Sequence, residues 1–164
     1  MGMYASFYRI KPELLRELKA NPEEFWDIYD TSDDIQDLEL DIDKSWHGIY
    51  FLLTGETGED EIPDNIGKAV LGGTEIGEDI SDYGPARYFE PQEVARLYDE
   101  LKQIPASQLA ERFNIEALNA NDIYPMGNRW SAEDKDYLIE YYDFLVNYYK
   151  TAAENNEAML MVIA

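Results

Sequence analysis

The chain contains no cysteine and a single histidine, His47, and both scarcities exclude classes of function. Without cysteine there are no disulfides, thiolate zinc sites, iron–sulfur clusters or thiol nucleophiles. One histidine is too few for a His-based metal site, so we expect neither a metal nor another cofactor. The lack of cysteine fits a reducing cytoplasm, although a cysteine-free secreted protein would look the same.

Basic residues are also scarce: 13 of them stand against 35 acidic residues, for a net charge of −22. Nucleic acids and anionic membranes both attract basic surfaces, so neither is an expected partner. The acids are uneven, because Asn21 to Gly67 holds 15 acids and one base, Lys44. This charge either serves solubility or forms a surface that meets a basic protein, with Asp33, Asp34 and Asp37 as candidate partner-binding residues.

No long apolar run is present either. Nothing approaches the roughly 18 apolar residues of a membrane span, and Met1 to Ile10 lacks the basic start and long apolar stretch of a signal peptide. The length of 164 residues matches one domain, 1–164, and the hydrophobic fraction of 45% suffices for a core. We therefore expect one domain in the cytoplasm.

Hydrophobic periodicity predicts a chain that is mostly helical, with a few strands near its ends. The strands are expected at Tyr4–Ile10, Ala86–Phe89 and Met159–Ile163, and the helices begin near Pro12, Pro22, Asp43, Asn65, Pro91, Pro105 and Ser131. Residues 30–37 read as an acidic connection and residues 75–83 as irregular. This order predicts an α+β fold in which several helices pack on a small mixed sheet that includes both terminal strands.

The helix predicted after Asp43 carries the first candidate chemistry. Asp43 is a typical N-cap, Gly55 is a typical stop, and Trp46 belongs to the buried face. His47 follows Asp43 by four residues, so the carboxylate could orient the ring as a general base. The alternative is a structural histidine packed beside this face. Asp41 and Asp43 also form a D-x-D pair, as in phosphotransfer enzymes, but the residues before it do not read as an apolar strand.

A second candidate site centres on Arg87. This residue lies among aromatic residues, in a chain that has few basic residues. Its guanidinium could bind a carboxylate or phosphate in a bidentate manner, with Tyr83 and Tyr88 as further ligand-binding candidates. The alternative is an internal salt bridge or stacking on a tyrosine.

Several short segments match a known family in order along nearly the whole chain: Met1-Gly2-Met3, Leu40-Asp41-Ile42-Asp43-Lys44-Ser45-Trp46-His47, Leu53-Thr54-Gly55, Ala69-Val70-Leu71-Gly72, Tyr83-Gly84-Pro85-Ala86-Arg87-Tyr88-Phe89, Ile123-Tyr124-Pro125, Trp130 and Ala158 to Ile163. Through them the chain resembles the YfbM-like family, small bacterial proteins of unknown function. The resemblance implies a single α+β domain. It supplies no activity and no catalytic residues.

Two hypotheses of function follow. The first is a binding or interaction protein, for example an inhibitor of a basic partner, and the charge favours it. The second is a small hydrolase or transferase whose cleft brings together His47, Asp43 and Arg87. The sequence therefore favours a binding protein over an enzyme. Convergence of these three side chains in space would be the evidence for an enzyme.

Overall fold

The computed structural model describes residues 2–58 and 63–164, and its centre is a five-stranded sheet. The strands are β1 (Ala5–Ile10), β2 (Glu39–Asp41), β3 (Thr74–Ile76), β4 (Ala86–Phe89) and β5 (Ala158–Ile163), in the spatial order β2-β1-β5-β4-β3. The predicted α+β fold is confirmed, with both terminal strands in one sheet. Every neighbouring pair is antiparallel, so the expected mixed sheet is corrected to an antiparallel one.

Strand β5 lies at the centre of the sheet, between β1 and β4. Its residue Met161 is opposite Phe7 on one side and Arg87 on the other. Helices cover both faces of the sheet, so five consecutive residues of β5 are buried and only Ile163 is half-buried. A strand buried on both faces has no polar face, which is why the chain ends in a continuous apolar run.

The helices form two layers, one on each face of the sheet. The described residues contain α1 (Pro12–Ala20), α2 (Phe25–Thr31), α3 (Asp33–Gln36), α4 (Trp46–Thr54), α5 (Lys68–Leu71), α6 (Pro91–Leu101), α7 (Ala106–Glu111), α8 (Ile115–Ala120) and α9 (Lys135–Glu154). Helices α1 to α3 pack on the face that carries Tyr8 and Leu160, and α4 to α9 pack on the face that carries Phe7 and Met161. Within the described ranges, no helix is both long and apolar enough to span a membrane.

Helix α9 is the longest of the described helices, and it begins after Ser131, as predicted, where a capping box forms. The backbone N–H of Ser131 donates to Asp134 at 2.8 Å, ahead of a short 3₁₀ turn. The buried stripe of α9 runs through Leu138, Tyr142, Leu145, Tyr149 and Ala152. Tyr141 and Tyr148, which share helical spacing with Leu138 and Leu145, lie half-buried at the edge of this stripe. The helix therefore has an aromatic flank beside its core face.

Four short elements were not predicted from the sequence: α3, β2, β3 and α8. Helix α3 and strand β2 lie in or beside the stretch expected to be an acidic connection, and β3 begins the stretch expected to be irregular. Each has only three to six residues. Elements this short span less than two periods of hydrophobicity, too few for a recognisable pattern, so their tertiary neighbours decide whether they form.

Candidate functional site

His47 is buried on α4, and both of its ring nitrogens are bonded to backbone groups. The N–H of Tyr124 donates to Nδ1 at 2.9 Å, and Nε2 lies 2.8 Å from the carbonyl oxygen of Thr57. The ring also stacks on Trp46, with 5.3 Å between centroids. An Nδ1 that accepts a hydrogen bond carries no proton, so the arrangement requires the neutral Nε2–H form, which donates to Thr57. The ring thereby joins α4 to two loops.

Asp43 does not cap helix α4, which corrects the sequence expectation. Ser45 occupies the N-cap position, and Asp43 has a left-handed backbone with φ of 55°. Its N–H donates to the carboxylate of Asp41 at 2.6 Å, which closes a tight Asx-type turn. Its own carboxylate accepts from the hydroxyl of Tyr137 at 2.7 Å. The D-x-D pair thus forms a turn that is held against α9.

Arg87 points from β4 toward the face covered by α4 to α9, where it has a structural role. Its guanidinium donates to the carbonyl of Leu71 at 3.2 Å and lies 3.8 Å from the carboxylate of Glu75, its cross-strand neighbour. Tyr88 packs on the opposite face of the sheet, and Tyr83 is exposed in a turn. The structure therefore separates Arg87 from Tyr88 and does not group them in one binding site.

The three residues of the enzyme hypothesis have different partners. His47 binds the backbone of Tyr124 and Thr57, Asp43 binds Tyr137, and Arg87 lies beside Glu75 and Leu71. Among the described residues, no three histidine, aspartate or glutamate side chains form a cluster suited to a metal ion. No observation in the structure favours a cleft built from these three side chains.

The ring of His47 gives a direct test of its role, since it is the one histidine of the chain. We expect long-range ¹H–¹⁵N NMR spectra at neutral pH to show the Nε2–H tautomer, because Nδ1 accepts from Tyr124. Asp43→Asn should leave that tautomer unchanged. An Nδ1–H tautomer, or a tautomer that changes in Asp43→Asn, would instead support a carboxylate-oriented histidine.

The proposed partner-binding aspartates lie in a structured acidic segment. This segment, residues 22–37, comprises a 3₁₀ turn, α2 and α3 and contains no lysine or arginine. Its seven carboxylates are all exposed: Glu23, Glu24, Asp27, Asp30, Asp33, Asp34 and Asp37. Within the described residues, none of them forms an ion pair. The acid-rich stretch noted in the sequence also includes residues 59–62, which lie outside the described residues.

A groove between β2 and α9 adjoins this segment, and sequence reasoning missed it. Its volume is about 420 Å³, and its lining includes Asp37, Leu38, Glu39, Leu40, Phe144 and Tyr148. The hydroxyl of Tyr148 donates to the carbonyl of Leu38 and accepts from the backbone N–H of Arg9, which fixes one wall. Phe144 stays 44% exposed. An exposed phenylalanine on an otherwise amphipathic helix is the one sequence signal that could have indicated this surface.

The aromatic flank of α9 continues along the helix from this groove. The rings of Tyr137, Tyr141 and Phe144 meet edge to face, with centroids 5.1 Å and 6.0 Å apart. Burial, followed by the nearby charges of Asp43 and Asp41, raises the pKa of the Tyr141 hydroxyl. Asp43 accepts from the hydroxyl of Tyr137, whose ring contacts that of Tyr141. The flank is an aromatic surface in a negative field.

Comparison with known proteins agrees with the architecture. The chain is 28% identical over 171 aligned positions to Protein YfbM of Escherichia coli strain K12, covering 99% of each sequence. The crystal structure of YfbM from Escherichia coli, described as a protein of unknown function, matches with a TM-score of 0.74 over 98% of this chain and 99% of that one. The model of a family described as a domain of unknown function, DUF1877, matches residues 1–162. The chain therefore belongs to the DUF1877 family, whose function is unknown.

Proposed function

We propose that this protein is a binding protein that recognises a basic protein partner through the acidic segment, residues 22–37. The observation that supports this proposal is the set of seven exposed carboxylates with no ion pair among the described residues. All seven lie within residues 22–37, which contain no lysine or arginine, so their charges reinforce one another. A partner of opposite charge gains both steering and favourable contacts at such a surface.

The acidic segment is rigidly attached to the protein. Phe25 and Ile35 are fully buried in the core formed with α1 and the sheet. The indole N–H of Trp26 donates to the carbonyl of Glu78 at 2.8 Å, which ties α2 to a neighbouring loop. The carboxylates thus project from ordered helices. Binding of a partner therefore costs little conformational entropy in the backbone that carries them.

Several of the few cations of the chain have partners outside the acidic segment. Arg9 pairs with Glu157 at 2.9 Å, Lys19 with Glu90 at 2.6 Å, and Lys102 with Asp99 at 2.9 Å. Lys44 lies over the ring of Tyr4. The negative charge of the acidic segment is therefore left for solvent ions or for a partner.

The test is capture from an extract of the native host, with the triple variant Asp33→Asn/Asp34→Asn/Asp37→Asn compared with the wild type. We expect the wild type to capture a basic protein, and raised salt to weaken the capture because the Debye length falls from about 10 Å at 0.1 M to about 3 Å at 1 M. The triple variant should associate at least about tenfold more slowly at low salt, since steering acts mainly on the association rate.

A matched control removes three exposed charges from another surface. Glu100, Glu111 and Glu116 are exposed, lie on or beside α6 to α8, and form no ion pair in the described structure. Their replacement by glutamine changes the net charge by the same amount and should leave capture unchanged. Capture of proteins that are not basic, or equal loss in both triple variants, would indicate that the charge serves solubility alone.

A further inference from the structure

We propose that the groove between β2 and α9 receives an arginine- or lysine-bearing segment of a protein partner. The long side chain would lie along the apolar floor with its charge at the acidic rim. This inference deepens the proposed function and rests on it, because Asp37 belongs both to the acidic segment and to the groove. The proposed function supplies a general electrostatic attraction to a basic partner, and the groove supplies a specific docking site for one of its segments.

The floor of the groove suits the aliphatic part of such a side chain. Leu38, Leu40 and Phe144 contribute apolar surface, and the volume of about 420 Å³ lies within the usual range for ligand sites. Lysine and arginine carry three or four methylene groups that pack on apolar surface while the charged end stays near water. The exposed ring of Phe144 also offers a face over which a cation is attracted.

The rim of the groove favours a positive occupant. Asp37, the last residue of the acidic segment, is exposed there and forms no ion pair in the described structure. The backbone of Glu39 lines the groove, but its carboxylate accepts from the hydroxyls of Ser6 and Tyr8 on the opposite face of the sheet and adds nothing to this rim. The one cation in the lining, Arg9, is already paired with Glu157 at 2.9 Å. An acidic segment would therefore meet like charge.

The same charges argue against a second copy of this chain as the occupant. Each copy carries a net charge of −22, so two copies repel one another over most of their surfaces. A basic segment satisfies both the apolar floor and the acidic rim, and an uncharged apolar segment satisfies only the floor. Charge complementarity thus selects one class of partner.

Three blocked hexapeptides test the site by ¹H–¹⁵N NMR titration of the full chain: alternating Arg and Leu, alternating Glu and Leu, and alternating Arg and Ser. The Arg–Leu peptide should shift the amide resonances of Leu38, Leu40 and Asn147, which line the groove. The Glu–Leu peptide should shift none of them. The Arg–Ser peptide keeps the arginine methylene groups and the charge but lacks leucine, so it should shift the same amide resonances with an affinity within about tenfold of the Arg–Leu peptide.

Phe144→Ala should weaken binding of the Arg–Leu peptide about tenfold, which corresponds to about 1.4 kcal/mol. Ile80→Ala is the control, since Ile80 is 63% exposed and is absent from the groove lining; it should change nothing. Thermal unfolding of both variants checks that the fold is intact. Unchanged binding in Phe144→Ala, or shifts confined to residues 22–36, would overturn the groove assignment.

The two proposals fail in different ways. Loss of capture in the aspartate triple variant, with no groove shifts at millimolar Arg–Leu peptide, would uphold the acidic segment and overturn the groove. Groove shifts that depend on Phe144 and Asp37, with capture unaffected by Asp33→Asn/Asp34→Asn, would uphold the groove and overturn the wider acidic segment. Groove shifts caused equally by the Glu–Leu peptide would overturn the assignment to a basic partner.

Discussion

Replacement of Trp46 by alanine is expected to lower the free energy of unfolding by about 3–5 kcal/mol, as for other buried aromatic truncations. Trp46 is 9% exposed and begins α4. Its ring stacks on His47 and lies 5.6 Å from the ring of Tyr124, and its indole N–H donates to the carbonyl of Met3 at 2.9 Å. The truncation removes apolar contacts, opens a cavity and leaves that carbonyl without its donor.

Urea unfolding followed by far-UV circular dichroism measures this loss, because Trp26 and Trp130 would complicate a fluorescence readout. Trp46→Phe keeps an aromatic ring and should cost clearly less than Trp46→Ala. Ile80→Ala, at an exposed position, should stay within about 0.5 kcal/mol of the wild type. A loss below about 1 kcal/mol in Trp46→Ala would mean that the site collapses around the missing ring or that the ring is not part of the core.

Alkaline pH is expected to unfold the protein cooperatively between about pH 11 and pH 12, through its buried tyrosines. Burial raises the pKa of the Tyr8, Tyr50, Tyr142 and Tyr149 hydroxyls above the ordinary value of 10.0, and raises that of Tyr142 to about 12. Tyr142 donates to the carbonyl of Ile104 and Tyr149 to that of Ala69, both at 2.7 Å. These hydrogen bonds need the protonated phenol.

The direction of this pH effect follows from proton binding. Above pH 10 the unfolded chain loses phenolic protons that the native state retains, so unfolding releases protons and stability falls as the pH rises. Each retained proton lowers the stability by about 1.4 kcal/mol per pH unit above pH 10, so four retained protons lower it by about 5.5 kcal/mol per unit. An ordinary domain has a total stability of about 5–15 kcal/mol. Below pH 10 this contribution to stability is fully present.

Absorbance at 295 nm, recorded together with far-UV circular dichroism, follows phenolate formation and unfolding in one titration. We expect part of the phenolate signal to appear only as the secondary structure is lost. Tyr142→Phe should lower the number of protons released on unfolding by about one. If all phenols ionise while the dichroism stays native, the buried tyrosines do not control alkaline stability.

The helix that ends at Gly55 and the two terminal strands were predictable from local chemistry. Gly55 has a left-handed φ of 75°, and its N–H donates to the carbonyl of Phe51 at 2.7 Å, as expected of a helix stop. Strands β1 and β5 are short apolar segments whose backbone groups need partners, and they pair over six positions. In both cases the physical cause lies within a few residues of the element itself.

The start of the same helix was not predictable, because a distant residue decides it. Asp43 and Ser45 are both good N-cap residues, so the sequence alone does not choose between them. Tyr137, which is 94 residues away, accepts from the N–H of Lys44 and donates to the carboxylate of Asp43. That contact accompanies the left-handed turn at Asp43 and leaves Ser45 as the N-cap.

The sequence by itself determined the charge of this protein, its α+β class and the burial of Trp46, because composition and short-range periodicity encode all three. Only the tertiary structure decided that the sheet is antiparallel, that Arg87 and Tyr88 face opposite sides, and that Asp37, Leu40 and Phe144 line one groove. Leu40 and Phe144 are more than 100 residues apart in the chain. Their proximity depends on how α9 packs beside β2, and no local pattern of residues encodes that packing.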